Sequence, residues 1–465
     1  MSKINATYLF YDIETTGLSK CFDQILQFAA IRTDLEFNEL EQHEFQIKLN
    51  QDIIPAPEAL ITHRIPFDEL QHGESEIDAL MKIHQLMNTP GTISLGYNTL
   101  GYDDEFLRFS FYRNLLAPYT HQYANQCGRM DIYPITVLYY LFKPELLHWP
   151  IINGKISLKL ANLIAENSLT TGKAHNALVD VKATLALAKK LREIPAMWDF
   201  SRAYFDKETD LSRLAKLSGE ALLIQGKIGA QDNYIAPVLS LGQHYHYKNQ
   251  TLWLRLDQVA LASTTHNTIA ENTYVFRKKL GENPLLLPIH DRYLEKISQE
   301  RQALARDNKK WLHDNPAILK EIQEYHRNFV FPIVPDIDID AALYQIGFPS
   351  REEEALFLTF HQATPENKTK IAEKFPSKKR QALAYRILGR FYTEHMNHEG
   401  MVYFQDYQNQ ETLIDYRSEK KLSAKMAQEK IDELLSSASL DAEQIKILKD
   451  YQVYLEALVA TSSLK

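Results

Sequence analysis

The stretch that decides the fold is Tyr8-Leu9-Phe10-Tyr11-Asp12-Ile13-Glu14-Thr15-Thr16-Gly17. Four apolar residues run directly into two carboxylates, and a Thr-Thr-Gly turn follows. An apolar run that short, closed by a turn, reads as a buried central strand. Asp12 and Glu14 then stand at its exit, where an α/β sheet usually holds its ligand. A second strand of the same kind, Thr92 to Tyr97, leads through Asn98-Thr99-Leu100-Gly101-Tyr102 into three acids, Asp103, Asp104 and Glu105. His175 and Asp180 then open a long helix in the pattern His-x-Ala-x-x-Asp.

Carboxylates at strand ends and helix starts, joined by one histidine, suit a two-metal phosphodiesterase. Cleaving a phosphodiester needs a nucleophilic water at neutral pH and stabilisation of charge on the leaving oxygen. Two Mg²⁺ ions about 3.5–4 Å apart serve both ends of such a displacement. Magnesium takes oxygen ligands, which Asp and Glu supply, and the ions relieve the mutual repulsion of clustered carboxylates. Mn²⁺ is expected to substitute. His175 reads as a general base rather than a ligand, because imidazole titrates near neutrality and magnesium rarely selects it. Within the triple acid the ligand stays open on these grounds alone, since acids are favoured in any first helical turn.

The three segments resemble the motifs of the DEDDh exonuclease superfamily, Asp-x-Glu, Asn-x-x-x-(Phe/Tyr)-Asp and His-x-Ala-x-x-Asp. The second of these selects Asp103, directly after Tyr102. More closely, the chain is similar to the bacterial exodeoxyribonuclease I family. The stretches that carry this are Tyr11-Asp12-Ile13-Glu14-Thr15, Gln27 to Asp34, Gly96-Tyr97-Asn98, Tyr102 to Glu105, Phe111-Tyr112-Arg113-Asn114, Trp149-Pro150 and Ala174-His175. The resemblance is dense to about residue 190 and thinner, though collinear, beyond. It implies Asp12, Glu14, Asp103 and Asp180 as metal ligands, His175 as the catalytic base, and processive 3′→5′ degradation of single-stranded DNA to nucleoside 5′-monophosphates, in DNA repair and recombination. It also implies a protein partner, the acidic C-terminal tail of the single-stranded-DNA-binding protein, for which Lys143 is a candidate contact. Where the family places an arginine near the scissile phosphate this chain has Lys159, which keeps the charge and loses the bidentate fork.

The bulk composition agrees with such a protein. At 465 residues, with 45% hydrophobic and 24% charged residues, the chain is an ordinary globular sequence of two to four domains. No run approaches 18 apolar residues, which excludes a membrane helix. The N-terminal Met1-Ser2-Lys3-Ile4-Asn5 lacks the apolar core of a signal peptide. Cys21 and Cys127 are too few for a disulfide framework and read as free thiols in a reducing cytoplasm. The net charge of −8 does not advertise a nucleic-acid binder. One basic stretch does stand out, with Lys370, Lys374, Lys378, Lys379, Arg380 and Arg386 between Lys368 and Arg390; it reads as a solvated face or a phosphate contact.

Residues 1–195 read as one α/β unit, with strands near 7–11, 25–33, 43–49 and 92–97. Its helices are expected near 103–115, 129–142, 157–167 and 174–192. From Ala221 to Leu256 the pattern alternates in strand fashion with glycine turns, as in a small bent barrel. Helical segments follow at Tyr293–Asn315 and Ile318–Arg327. The remainder reads as helix, at Arg351–Gln362, Lys378–His398, Ser423–Ser436 and Asp441–Ala460. The resemblance implies a ribonuclease H-like α/β nuclease domain with a mixed sheet (1–195). An SH3-like β-barrel domain with helices (196–344) and an all-helical C-terminal domain (345–465) follow it.

Basic residues interleaved with aromatics suit single-stranded DNA. Arg108, Tyr119 and Tyr123 are the candidate DNA contacts, joined by Lys159 and Glu14 at the reacting end, with Arg113 weaker. Thr15 and Thr16 either position the terminal nucleotide or shape a turn. Two other readings compete, a 3′→5′ exoribonuclease and a non-catalytic DNA-binding scaffold. For the first, the same five residues serve RNA equally well and nothing in the motifs reads a 2′-hydroxyl, but about 270 residues beyond residue 195 are more than trimming short RNAs needs; the second is opposed by all five catalytic positions being filled. A monomer is expected.

Overall fold

A computed structural model describes residues 5–169, 176–410, 412–436 and 439–462. Strands β1 (Thr7–Thr15), β2 (Ile25–Thr33), β3 (Glu39–Gln46), β4 (Thr92–Gly96) and β5 (Gly128–Asp131) form one mixed sheet in the order β3-β2-β1-β4-β5. β1 pairs antiparallel with β2 and parallel with β4, and β4 continues parallel to β5. Its helices are α1 (Pro57–His63), α2 (Glu76–Met87), α3 (Asp103–Arg113), α4 (Ile132–Phe142), α5 (Leu160–Asn167) and α6 (Ala177–Arg192).

β1 is apolar from Tyr8 to Tyr11 because both its faces are covered there. Leu9, Tyr11 and Ile13 pack among α2 and α3 residues such as Leu80, Ile83, Phe106 and Phe111. Tyr8 and Phe10 face the other way, onto Ile135 and Leu138 of α4 and Val181 of α6. Residues 129–131, expected to begin a helix over 129–142, instead belong to β5. The pairing of Ile93 with Gly128 and of Gly96 with Asp131 claims their backbone for the sheet. α1 was not legible as a helix either; Pro57 starts it and Arg64, in the left-handed region, ends it.

After the short hairpin β6 (Ile151–Ile152) and β7 (Lys155–Ile156), a second sheet follows. Its strands are β8 (Glu220–Ile224), β9 (Ile235–Gln243), β10 (Gln250–Arg255), β11 (Val275–Lys279) and β12 (Leu285–Leu287). They run antiparallel in the order β11-β10-β9-β8-β12 as a curled sheet, with no pairing of β11 to β12 among the described residues. β11 and β12 escape sequence reading because one is largely charged and the other is three residues long. Leu222, Ile224, Leu285 and Leu287 share a core with Ile135 and Leu138 of α4, so this sheet is packed against the helix that covers the first.

The C-terminal region is helical, at Arg351–Gln362, Pro365–Ala372, Lys378–Phe391, His398–Gln408, Ala424–Ser436 and Ala442–Ser462. The expected helix over 378–398 is broken after Phe391, and Asn397 caps its successor by accepting the Gly400 N–H at 2.8 Å. The basic stretch around it is only partly solvated. Lys370, Lys374, Lys378 and Lys379 are exposed, whereas Lys368, Arg380 and Arg386 are buried. Arg386 forks onto Asp338 at 2.7 and 2.6 Å, and its charge serves the interior rather than a phosphate. Two further cores join this region to the first sheet's surroundings, one through Phe22, Phe109 and Tyr112, the other through Leu26, Leu60 and Phe67. Cys21 and Cys127 are free and buried. No described helix is long and apolar enough to cross a membrane.

Candidate active site

The two-residue period of a strand puts Asp12 and Glu14 on the face of β1 that meets α6. The first turn of α6 is fixed over them by two contacts. Asn176 caps it, accepting the Val179 N–H at 3.2 Å. Gln27 lies opposite Glu14 in the β1–β2 register, and its Oε1 accepts the Ala177 N–H at 3.1 Å. Asp180 in that turn is thereby brought over the strand. Asp12, Glu14 and Asp180 each offer a carboxylate oxygen, and the three oxygens lie within 4.8 Å of one another.

Asp103, the first residue of α3, is buried beside this group. Burial, and then the charges of Asp103, Glu14 and Asp180, push the Asp12 carboxyl well above the usual carboxylate range. Glu14 is pushed up to about 8 by burial, then by Asp180 and Asp103. Asp103 is pushed up to about 8 chiefly by burial, while its own N–H and that of Ile13 oppose the rise. Burial and mutual repulsion oppose ionisation of these carboxyls, and a cation held among them would offset both. An all-oxygen donor set of high negative charge fits hard divalent ions such as magnesium.

The turn after β1 is wired to hold this geometry. Thr16 Oγ1 donates to Asp23 Oδ1 at 2.8 Å and accepts the Gln24 N–H at 2.9 Å. Asp23 also accepts the Ser19 N–H at 2.8 Å. A Cβ at Gly17 would stand 2.5 Å from Asp23 Oδ2, so any side chain there would push Asp23 out of these bonds. Tyr102 Oη donates to the Gly17 carbonyl at 2.9 Å and lies 2.9 Å from Thr15 Oγ1. The residue before Asp103 is therefore tied to the turn after Glu14. At the end of β4, a Cβ on Gly96 would come within 2.6 Å of the Tyr11 carbonyl, so glycine lets the two strands approach. Asp131 at the end of β5 accepts the N–H groups of Asn98 at 2.8 Å, Leu100 at 3.3 Å and Tyr133 at 2.9 Å. It fixes the loop that delivers Asp103.

Sequence reading missed Gln27, Asp131 and Leu18. The first two act through backbone groups far away in sequence, which no local pattern reveals. Leu18 had a signal, an apolar residue directly after the Thr15-Thr16-Gly17 turn; it is 83% exposed. His175 lies outside the described residues.

Of the expected DNA contacts, Arg108 and Tyr119 lie together, and Tyr119 and Tyr123 line one cleft. Arg108 donates to Asp104 at 2.7 Å and stands over the Tyr119 ring, 5.7 Å from its centre. Tyr119 is half-buried and meets Phe348 edge-on at 6.0 Å. Tyr123 is exposed, and Lys159 is exposed at the N-terminal cap of α5. Arg113 is buried, donating to the carbonyls of Cys21 at 2.6 Å and Asp23 at 2.8 Å. Lys143 is half-buried at the end of α4, 3.9 Å from Glu145.

Comparison with known proteins agrees with this architecture. The family model described as Exonuclease matches residues 9–188, and that of the Exonuclease I C-terminal domain matches residues 337–458. Exodeoxyribonuclease I of Escherichia coli is 29% identical over 98% of this chain and 99% of its own length. Exodeoxyribonuclease I of Buchnera aphidicola subsp. Acyrthosiphon pisum is 32% identical over 61% of this chain and 70% of its own. The crystal structure of E. coli exonuclease I in complex with a dA16 oligonucleotide superposes with a TM-score of 0.86 at 25% identity, covering 97% of this chain and all of that one. With its nuclease sheet, curled second sheet and helical C-terminal region in the same succession, the chain belongs to the exodeoxyribonuclease I family.

Proposed function

We propose that this protein is a magnesium-dependent 3′→5′ exonuclease that degrades single-stranded DNA processively to nucleoside 5′-monophosphates, in DNA repair and recombination. The observation that carries the reading is the convergence of Asp12, Glu14 and Asp180, oxygen to oxygen within 4.8 Å, with Asp103 beside them. These four residues are the proposed ligands of two Mg²⁺ ions, for which Mn²⁺ substitutes. When bound, the ions supply an activated water and neutralise charge on the leaving oxygen.

The chain's own residues do the rest. His175 takes the proton of the attacking water. Lys159 offsets the charge of the scissile phosphate, and Glu14 contacts the terminal nucleotide. Leu18 packs against the terminal base, and Tyr119, Tyr123 and Arg108 meet the strand beyond it. The oligonucleotide carried by the E. coli relative supports a single-stranded DNA substrate here. The three units proposed, 1–195, 196–344 and 345–465, enclose the strand, and the protein works as a cytoplasmic monomer.

The partner proposed is the acidic C-terminal tail of the single-stranded-DNA-binding protein. A cleft of about 570 Å³ beside Lys143 supports this, with Arg292 and Lys296 for carboxylates and Phe142, Met197 and Phe200 for apolar side chains. Stimulation by that protein is expected to fade as salt rises, and stimulation independent of salt overturns this assignment.

The deciding experiment uses end-labelled single-stranded DNA, duplex DNA and RNA, with Mg²⁺ or EDTA, and resolves products by size. Mononucleotides from the 3′ end of single-stranded DNA, only with metal, are expected. Preferential RNA degradation favours the exoribonuclease reading, and binding without cleavage favours the scaffold.

A further inference from the structure

The three consecutive acids that open α3 face three different partners. Asp103 acts on Asp12 and Glu14. Asp104 is fully buried and held by Arg129, by Arg108 at 2.7 Å and by His121 at 3.0 Å. Despite burial, which raises it, the Arg129 and Arg108 charges hold its carboxyl far below the usual range. Glu105 is paired with Lys20 and accepts a hydrogen bond from Tyr344 Oη at 2.8 Å.

Two of these contacts lead outward. Arg129 bridges Asp104 to Glu282, in the turn between β11 and β12 of the second sheet. That turn is anchored from behind. Lys278 pairs with Asp210 at 2.6 Å and donates to the Glu282 carbonyl at 2.5 Å, and the Gly281 N–H donates to Asp210 at 2.8 Å. Tyr344 ends the turn that enters the helical C-terminal region, and its ring meets Phe109 of α3 edge-on at 5.5 Å. Lys20 also donates to the Gly101 carbonyl at 2.9 Å, two residues before Asp103. Glu282 of the second sheet and Tyr344, at the entry to the helical region, therefore both grip the first turn of the helix that carries Asp103. The other large ionic cluster, Arg386 and Arg390 with Asp338, Asp340 and Asp52, meets the opposite end of α3, where Tyr112 Oη donates to the Ile339 carbonyl at 2.8 Å.

We infer that Glu282 and Tyr344 are positioning residues for the catalytic cluster. Glu282 acts through Arg129 and Asp104, and Tyr344 acts through Glu105 and Lys20. Together they fix the α3 first turn and with it the Asp103 carboxylate. The consequence is that the second sheet and the segment entering the C-terminal region contribute to the chemistry and not only to holding a long strand. A displacement of about 1 Å at a reacting group can cost ~10²-fold in rate, so anchoring of this kind matters. The inference rests on Asp103 belonging to the metal-binding set.

The test uses the full-length protein with Glu282→Gln, Tyr344→Phe and Asp103→Asn. Manganese binding without DNA is read by electron paramagnetic resonance, and single-turnover cleavage is read on a trinucleotide. Glu282→Gln and Tyr344→Phe are each expected to weaken manganese binding and slow trinucleotide cleavage by about tenfold, the scale of outer-shell effects on metal sites. Added manganese should restore part of the rate, trinucleotide KM should stay unchanged, and Glu282→Asp should recover both readouts. Unchanged manganese affinity and cleavage, with only a lower melting temperature, overturn the inference and leave the contacts as interdomain adhesion. If Asp103→Asn itself binds manganese and cleaves normally, the metal-site reading fails. If it loses both while the other two variants keep both, only the positioning role falls.

Discussion

Arg390 donates to Asp52 at 2.9 Å across 338 positions of sequence, both side chains buried. The pair ties the C-terminal helices to the loop before α1. Tyr407 Oη adds a hydrogen bond to the same carboxylate at 2.8 Å, and Lys421 donates to the Asp52 carbonyl at 2.8 Å. Burial alone would raise the Asp52 carboxyl; the Arg390 and Lys421 charges win and bring it down to about 2. Since the folded value is depressed, its stabilisation is complete above the unfolded carboxylate range near 3.8 and is lost as pH falls toward 2. Asp52→Asn should cost about 3–5 kcal/mol at neutral pH, because it strands a buried arginine. It should also flatten the acid limb of stability measured by urea unfolding. An unchanged acid limb refutes the assignment.

His84 gives a separate limb at higher pH. Its ring is pushed down to about 4 by burial first, against the Ala117 carbonyl and with the help of His121 and His361. The unfolded chain therefore binds a proton that the folded chain refuses between about pH 6.5 and 4. Stability should decline as pH falls through that window, and His84→Gln should remove much of the slope. Unfolding curves at pH 7, 5.5 and 4.5 measure it.

Removing one carboxylate from the cluster should separate chemistry from folding. Asp12→Ala, Asp103→Ala and Asp180→Ala are each expected to abolish cleavage. In EDTA their melting temperatures should equal or exceed that of the parent, because crowding among like charges is relieved. Mg²⁺ should raise the parent's melting temperature and leave that of Asp12→Ala where it was. Near-normal turnover in any one variant removes that residue from the site.

Leu18→Ala should lower kcat/KM by about tenfold, the kinetic equivalent of the roughly 1.5 kcal/mol gained by burying a leucine against a base. Melting temperature should not change, since Leu18 is exposed in the free protein. Steady-state kinetics on single-stranded DNA decide it.

Arg113→Lys should destabilise by roughly 3 kcal/mol without altering DNA affinity, because a buried fork serving two carbonyls and Glu76 at 3.3 Å is replaced by a point charge. Thermal unfolding and filter binding separate the two outcomes.

A fragment ending at residue 195 should aggregate rather than act as a minimal nuclease. Its core residues Tyr112 and Leu60 are completed by Leu388 and Tyr451, and Phe10 shares its core with Ile224. Solubility and light scattering of the fragment check this. A monomeric, folded fragment would show that these shared cores are dispensable.

The sequence by itself determined β1, the turn after Glu14 and the placing of Asp12 and Glu14 on one face. These are local facts: an apolar run that only a twice-covered strand tolerates, and carboxylates whose spacing puts them on one face. The tertiary structure alone decided how Asp180 comes over Glu14, because the link runs through Gln27 of a different strand to a backbone N–H of α6. It also decided that Asp104 and Glu105 turn away from Asp103 toward separate parts of the chain, three neighbours that composition cannot tell apart. The same holds for the basic stretch before Arg390. Whether a cationic side chain meets water, phosphate or a buried aspartate depends on what packs over it, and for Arg386 that is Asp338, 48 residues away. Spacing along a chain fixes faces; only folding brings the faces' partners together.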